Sequence, residues 1–119
     1  MAVEAHGRPP LVHRTADFRG VTSPVLRDGA ALSGLLLSAA GAAGLSMAEP
    51  PTVRALPRDG LAVFLLLDLG HIAVHTLPAR ETLLLDLLVT ADRDPQKAVD
   101  VFIRKLGATV ARSGRTDRG

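Results

Sequence analysis

Three apolar runs separated by short turns constrain the fold of this chain most strongly. Leu61–Leu67 is seven apolar residues in a row, and His71–Thr76 and Thr82–Val89 follow it after short breaks. Runs of this length are typical of strands, because helices are usually longer. The unbroken apolar character of Leu61–Leu67 predicts a strand buried on both faces, or nearly so. The chain should therefore contain a sheet built around these three runs.

Two helices are predicted from their start signals. Ser23-Pro24 and Asp94-Pro95 each supply an N-cap side chain followed by a proline at the first helical position. Apolar residues then recur with a spacing near 3.6, which indicates one apolar face on each helix. Gly44 is a plausible C-cap for the first helix, and Gly107 ends the second.

Further strands are predicted on either side of these elements, at Leu11–Phe18, Leu45–Ala48, Thr52–Leu56 and Ala108–Ala111. The resulting order is β-α-β-β-β-β-α-β. Consecutive strands with two amphipathic helices indicate an α+β fold, a two-layer sandwich in which an antiparallel sheet carries both helices on one face. We expect a flexible leader over residues 1–10, a single domain over 11–111 and a basic, flexible tail over 112–119.

Composition narrows the possible functions. The chain has no cysteine, which removes disulfides, thiolate metal sites and thiol nucleophiles. Basic residues gather near the C-terminus without stacking aromatics, so nucleic-acid binding is not expected. Gly29–Ala48 carries no charge but is rich in Gly, Ala and Ser, which favours a helix packed on a sheet over a membrane span. No signal-peptide pattern is present at the N-terminus, and a cytoplasmic protein is expected.

Four polar residues near the apolar runs could carry chemistry. His71 and His75 are four residues apart, which on a strand places them on one face but ~13 Å apart, so a shared metal ion is not expected. Asp68 and Asp86 could form a carboxylate pair for acid–base work. Alternatively, Asp68 is a turn residue at a strand end, and Asp86 is a buried hydrogen-bond acceptor. A carboxylate within such an apolar run must meet a cation or backbone N–H groups, or lie at the open side of the sheet.

The segment GHIAVHTLP, Gly70–Pro78, resembles the S-H-x-x-I-H-T-W-P signature of the bacterial S-adenosylmethionine decarboxylase family. The surrounding features agree in order. An apolar strand precedes the segment, a strand with Asp86 in the matching place follows it, and the helix start Asp94–Ala98 matches an Asp-Pro-x-Lys-Ala pattern. The resemblance is good over roughly residues 60–111.

The resemblance implies a distinctive chemistry, and this chain differs from the family at residues which that chemistry requires. Such enzymes cut their own chain before a serine, which becomes an N-terminal pyruvoyl group that forms a Schiff base with the substrate amine. Here Gly70 occupies the serine position, and Thr90 lies at or beside the position of the proton-donor cysteine. Other family positions also differ in this chain, at Ala62, Leu69, Leu77 and Ala79. The expected protein therefore remains uncut and has no pyruvoyl group and no other cofactor.

The family residues that remain in this chain define the candidate site and the expected partners. The predicted catalytic residues are His75, which assists processing in the family, with His71 and Asp68. The predicted ligand-binding residues are Leu69, Gly70, Thr76, Asp86 and Thr90. The family forms dimers, so a homodimer, or a heterodimer with an active paralogue, is expected, with S-adenosylmethionine or a nucleoside-like molecule as ligand. The alternative is an enzyme with new chemistry on such a molecule, using His75, His71, Asp68 and Asp86.

Overall fold

A single antiparallel sheet of six strands organises the structure, a computed structural model that describes residues 10–119. The strands are β1 (Leu11–Arg19), β2 (Thr52–Ala55), β3 (Leu61–Leu66), β4 (His71–Leu77), β5 (Thr82–Thr90) and β6 (Thr109–Arg118). Their order across the sheet is β2-β3-β4-β5-β1-β6. The predicted leader, residues 1–10, falls almost wholly outside the described residues.

All helices pack on one face of this sheet. They are α1 (Ser23–Leu26), α2 (Gly29–Ala42) and α3 (Pro95–Leu106). Helix α2 contacts β2, β3 and β4, helix α3 contacts β1, and the two helices contact each other. The predicted two-layer α+β sandwich is confirmed. No helix in residues 10–119 is long and apolar enough to cross a membrane.

The core lies between the sheet and the helices. Alternate residues of the central strands are buried there, including Ile72 and Val74 of β4 and Leu85 and Leu87 of β5. Two of the chain's three phenylalanines, Phe18 of β1 and Phe102 of α3, stack with their ring centroids 6.0 Å apart. Aliphatic side chains supply the rest, as the low aromatic content requires.

No helix of residues 10–119 lies on the opposite face of the sheet, which we call the open face. It consists of alternate residues of β1, β3, β4 and β5: Leu11, His13, Thr15, Asp17, Ala62, Phe64, Leu66, His71, Ala73, His75, Leu77, Leu84, Asp86 and Leu88. The prediction that Leu61–Leu67 is buried on both faces is wrong, because Phe64 and Leu66 remain 41% and 39% exposed there. One face of β3 thus packs against the core, and its other face is an apolar surface that no described residue covers.

Two local predictions differ from the structure near the first helix. The predicted helix from Ser23 is broken at Arg27-Asp28 into α1 and α2. Ser23 is not the cap, since Thr22 precedes α1 without a side-chain cap. Asp28 caps α2 instead, accepting a hydrogen bond from the backbone N–H of Ala31 at 3.0 Å. An internal cap of this kind satisfies a free N–H group of the second helix and stabilises the break.

The C-terminal prediction is also wrong in part. The predicted strand Ala108–Ala111 continues as β6 through residues assigned to a flexible tail, and it ends at Arg118. Its polar, Arg-rich sequence carries no strand pattern. The strand forms because β1 is long enough to pair with it along its whole length, from Leu11 opposite Arg118 to Arg19 opposite Thr109. Non-local backbone hydrogen bonds thus override the weak local preference.

Candidate functional site

A small cavity lies at the end of the sheet where β3 leads into β4. Its volume is about 130 Å³, and it brings together three predicted residues, Asp68, Leu69 and Thr90, with Arg93 and the loop after α2. The N–H of Asp68 donates to the carbonyl of Ser46 at 2.9 Å, which ties the β3 end to that loop. Arg93 was not predicted, because only the fold brings the turn after β5 beside the β3–β4 turn.

Gly70 lies directly after this cavity and has a backbone that only glycine adopts easily. Its φ is +105°, and its carbonyl accepts the N–H of Leu67 at 3.1 Å to close the β3–β4 hairpin. A Cβ atom added at this position would lie 1.9 Å from the carbonyl oxygen of Leu88. Both the dihedral angle and the close approach of β5 therefore require a residue without a side chain.

Two histidines share one carboxylate on the open face. The Nε2 atoms of His13 and His71 lie 3.0 Å and 3.1 Å from Oδ1 of Asp86. An ionised carboxylate can only accept hydrogen bonds, so each ring donates its Nε2–H and leaves Nδ1 as an acceptor when neutral. The ring of Phe64 lies 5.4 Å from that of His71 and covers one side of it. This arrangement orients both imidazole rings around one carboxylate.

His13 is the member of this cluster that sequence reasoning missed. The alternation of β1 places it on the open face with Thr15, but nothing local shows which strand lies beside it. The register does: Thr15 pairs with Asp86, and His13 pairs with Leu88. His13 therefore reaches Asp86 diagonally across neighbouring strands, a distance that imidazole spans easily.

The other predicted site residues separate into different places. His75 is exposed on the open face, with Ala73 between it and His71, and it forms no hydrogen bond with other described side chains. Asp68 lies in the cavity, whereas Asp86 belongs to the histidine cluster, so the predicted Asp68–Asp86 pair does not form. Asp86 is an acceptor as expected, and it lies at the open side of the sheet, where its side chain is 46% exposed rather than buried. Within residues 10–119, no three His or acidic side chains are placed to hold a metal ion.

Thr76, predicted to bind ligand, is buried, and its hydroxyl is fully used within the fold. The Oγ1 atom accepts the N–H of Leu61 at 2.8 Å and donates to the carbonyl of Leu26 at 2.9 Å. It thereby joins β4 to the start of β3 and the end of α1. This hydroxyl holds the scaffold together and is not free to bind a ligand.

Replacing Thr76 with valine should lower the free energy of unfolding by about 1–3 kcal/mol, because two buried backbone groups lose their partner while the shape is kept. Urea denaturation measures the change. Thr116→Val on the exposed strand β6 is the matched control and should change stability by less than ~0.5 kcal/mol. Equal effects of the two substitutions would contradict the role given to the Thr76 hydroxyl.

Thr90 has a local polar partner as well. Its hydroxyl, together with the neighbouring Arg93 guanidinium, lowers the pKa of the exposed Asp92 carboxyl. The side of the cavity nearest β5 thus carries a hydroxyl beside a carboxylate that is ionised at neutral pH.

The fold, an antiparallel six-stranded sheet with all helices on one face, agrees with a solved structure of the adenosylmethionine decarboxylase from Aquifex aeolicus. The TM-score is 0.80, covering 94% of this chain and 92% of that one at 23% sequence identity. This likeness supports the architecture described above.

Sequence comparison identifies the family. The family model of S-adenosylmethionine decarboxylase matches residues 12–119. Proteins named S-adenosylmethionine decarboxylase proenzyme are similar over 95 residues, at 30% identity in Pyrobaculum neutrophilum and 32% in Pyrobaculum aerophilum. The match covers 79% of this chain in both cases, and 77% and 76% of those proteins. The chain belongs to the S-adenosylmethionine decarboxylase family.

Proposed function

We propose that this chain is an unprocessed member of its family that binds a ligand or a partner and does not perform pyruvoyl-dependent decarboxylation. The observation that carries the proposal is the backbone of Gly70. The family signature has a serine at this position, and its hydroxyl would have to attack the preceding carbonyl to start self-cleavage. Glycine has no Oγ atom, and the contact with Leu88 leaves no room for one without moving β5.

The residues around Gly70 do not fit a pyruvoyl group. That group is made from the backbone and Cβ of the serine itself, and Gly70 supplies no Cβ. Thr90, at or beside the family's cysteine position, carries a hydroxyl next to Asp92, and a hydroxyl is a much weaker acid than a thiol. Thr90 lines the cavity, and Gly70 directly follows Leu69, which also lines it. The departures at the nucleophile and proton-donor positions therefore lie close together and support loss of the reaction as a whole.

The ligand proposed for the cavity is S-adenosylmethionine or a related nucleoside-like molecule. Asp68 and Arg93 offer one charge of each sign, which complements the ammonium and carboxylate groups of an amino-acid end. The volume of about 130 Å³ is below the ~300 Å³ of a typical small-molecule site. One protomer would therefore hold one end of the molecule, and the rest would lie against a second chain.

Association through the open face is the proposed quaternary arrangement. Leu84, Leu88, Phe64 and Leu66 form an apolar surface on a sheet that nothing covers in the described chain. The four strands of this face, spaced ~4.8 Å apart and about eight residues long, present a plane of roughly 500 Å². That is of the same order as the ~800 Å² that each partner buries in a stable complex. Asp86 would enter the interface already paired with two histidines, which limits the cost of its desolvation.

The second protomer is either another copy of this chain or an active paralogue. A paralogue of the same fold would present a sheet of the same width, so the open face suits both. Size-exclusion chromatography with light scattering on the purified chain separates the two, since a homodimer forms without any other protein.

Thermal-shift screening tests the ligand proposal. We expect S-adenosylmethionine, its decarboxylated form or methylthioadenosine to raise the melting temperature, because a ligand at a hundred times its Kd adds ~2.7 kcal/mol of stability. Asp68→Asn should remove the shift, and Asp100→Asn, an exposed carboxylate on α3, should keep it. No shift with any of these nucleosides would contradict ligand binding, and release of carbon dioxide from S-adenosylmethionine would contradict the loss of decarboxylation.

The histidine cluster supports a second candidate function, acid–base chemistry on a molecule bound at the open face. His71 and Asp86 were proposed for this role from sequence, and the structure places them in hydrogen-bond contact. Removal of a proton-transfer residue typically lowers the rate by ~10²-fold or more. If the purified protein converts S-adenosylmethionine or a related nucleoside, His71→Gln should reduce turnover by at least this factor. Unchanged turnover would exclude this candidate.

A further inference from the structure

A second cavity lies at the other end of β4 from Gly70. It has a volume of about 360 Å³ and is enclosed by the turn Pro57–Asp59 before β3 and the turn Pro78–Arg80 after β4. Most of its lining is apolar, from Pro57, Leu77, Pro78 and Ala79. Thr76 also lines the cavity, but its hydroxyl is already bonded to two backbone groups of the fold. This volume is within the range of small-molecule sites.

The charged groups that line this cavity are two arginines, one on each turn. Arg58 and Arg80 are both exposed, and neither forms a hydrogen bond through its guanidinium or an ion pair with another residue in the range 10–119. The nearest acidic residue in sequence to Arg58 is Asp59, and its carboxylate lies 3.8 Å from Arg27 instead. Two guanidinium groups that line an apolar cavity therefore have no side-chain or carbonyl partner among residues 10–119.

Residues with a positive φ angle lie in or next to both of the turns that border the cavity. Among residues 10–119, the non-glycine residues with positive φ are Arg58, Asp59 and Glu81, at +62°, +65° and +49°. All three lie in or directly after the turns that enclose the cavity. Such conformations are sparsely populated in L-residues, and they concentrate at positions where the surrounding structure holds a functional loop in place.

From these observations we infer that this cavity is a binding site for a small organic anion with an apolar body, a carboxylate or phosphate ester. The guanidinium groups of Arg58 and Arg80 bind the anionic group, since a planar fork of N–H donors matches carboxylate and phosphate oxygens. The proline and leucine side chains contact the apolar body. The site lies at the opposite end of β4 from the cavity near Gly70, and Leu77 is the lining residue that it shares with the open face.

Titration of the ¹⁵N-labelled full chain with phenyl phosphate tests the site, with amide chemical shifts as the readout. We expect saturable shifts centred on the amide groups of residues 58–59, 76–77 and 79–81, and weaker binding of inorganic phosphate, which lacks the apolar body. Phenol, which lacks the anion, should give no saturable shifts. The double variant Arg58→Gln with Arg80→Gln should lower the affinity for phenyl phosphate by at least tenfold, because both charge-assisted contacts are removed.

Two controls make the result specific. Arg104→Gln removes an exposed arginine of α3 and should leave phenyl phosphate affinity unchanged. Arg93→Gln, in the cavity near Gly70, should also leave the phenyl phosphate affinity unchanged. The test of this anion site therefore does not depend on whether a nucleoside binds near Gly70. Equal affinity of the wild-type chain and the double variant, shifts centred elsewhere, or no saturable shift up to the solubility limit would overturn the inference.

Discussion

Replacing Gly70 with serine should lower the free energy of unfolding by about 2–5 kcal/mol. A side chain at φ +105° costs about 1–3 kcal/mol, and forcing atoms into a closely packed contact costs about as much again. The contact in question is with the backbone of β5 at Leu88, which a rotamer change cannot relieve. Urea denaturation followed by circular dichroism measures the loss.

The same variant tests whether the serine alone would restore self-cleavage. We expect the Gly70→Ser chain to stay intact on prolonged incubation, because the backbone that surrounds the residue is arranged for glycine. Gly34→Ala is the matched control: Gly34 lies in α2 with open space around it, so alanine should stabilise the helix by about 0.5–1 kcal/mol. A fully stable Gly70→Ser chain would contradict the steric argument.

Replacing Leu84 with lysine should dissociate the proposed dimer. Leu84 lies on β5 near the centre of the open face, where a second chain would bury it. Burying an unpaired ammonium group costs several kcal/mol, so the dissociation constant should rise at least ~100-fold. The folded protomer should tolerate the change, since Leu84 is only partly buried and the open face is not covered by other described residues. Light scattering coupled to size-exclusion chromatography measures the mass.

The control for this variant is Leu37→Lys on the outer side of α2. Leu37 is 39% exposed, but it lies on the far side of the helix layer from the open face. The wild-type and Leu37→Lys chains should both have the mass of a dimer, and Leu84→Lys that of a monomer. A dimer that survives Leu84→Lys but not Leu37→Lys would place the interface on the helices.

Local sequence signals were sufficient for most of the fold. The caps at Asp94 and the stop at Gly107 set the bounds of α3, and the apolar runs located β3, β4 and β5. The exposure of Phe64 was not predictable, because a run without polar residues does not show which face meets the core. The C-terminal part of β6 was not predictable for the opposite reason, since Arg112 to Arg118 have no strand pattern and pair only because β1 lies beside them.

The candidate site was predictable as a list of residues but not as a geometry. The signature around Gly70 identified the right turn and the residues on both sides of the cavity. It could not show that Asp68 and Asp86 belong to different clusters, or that His13 joins the second one, because these relations depend on the register between β1 and β5. Arg58 and Arg80 gave no signal in the sequence, where each is an ordinary residue of a turn.

Intact-mass spectrometry of the purified protein tests the central claim most directly. We expect one species with the mass of the uncut chain, 12.5 kDa, which stays unchanged on long incubation and gives no new product with reagents that trap ketones. Two fragments whose masses place the break before Gly70, with a carbonyl at the new N-terminus, would contradict the account.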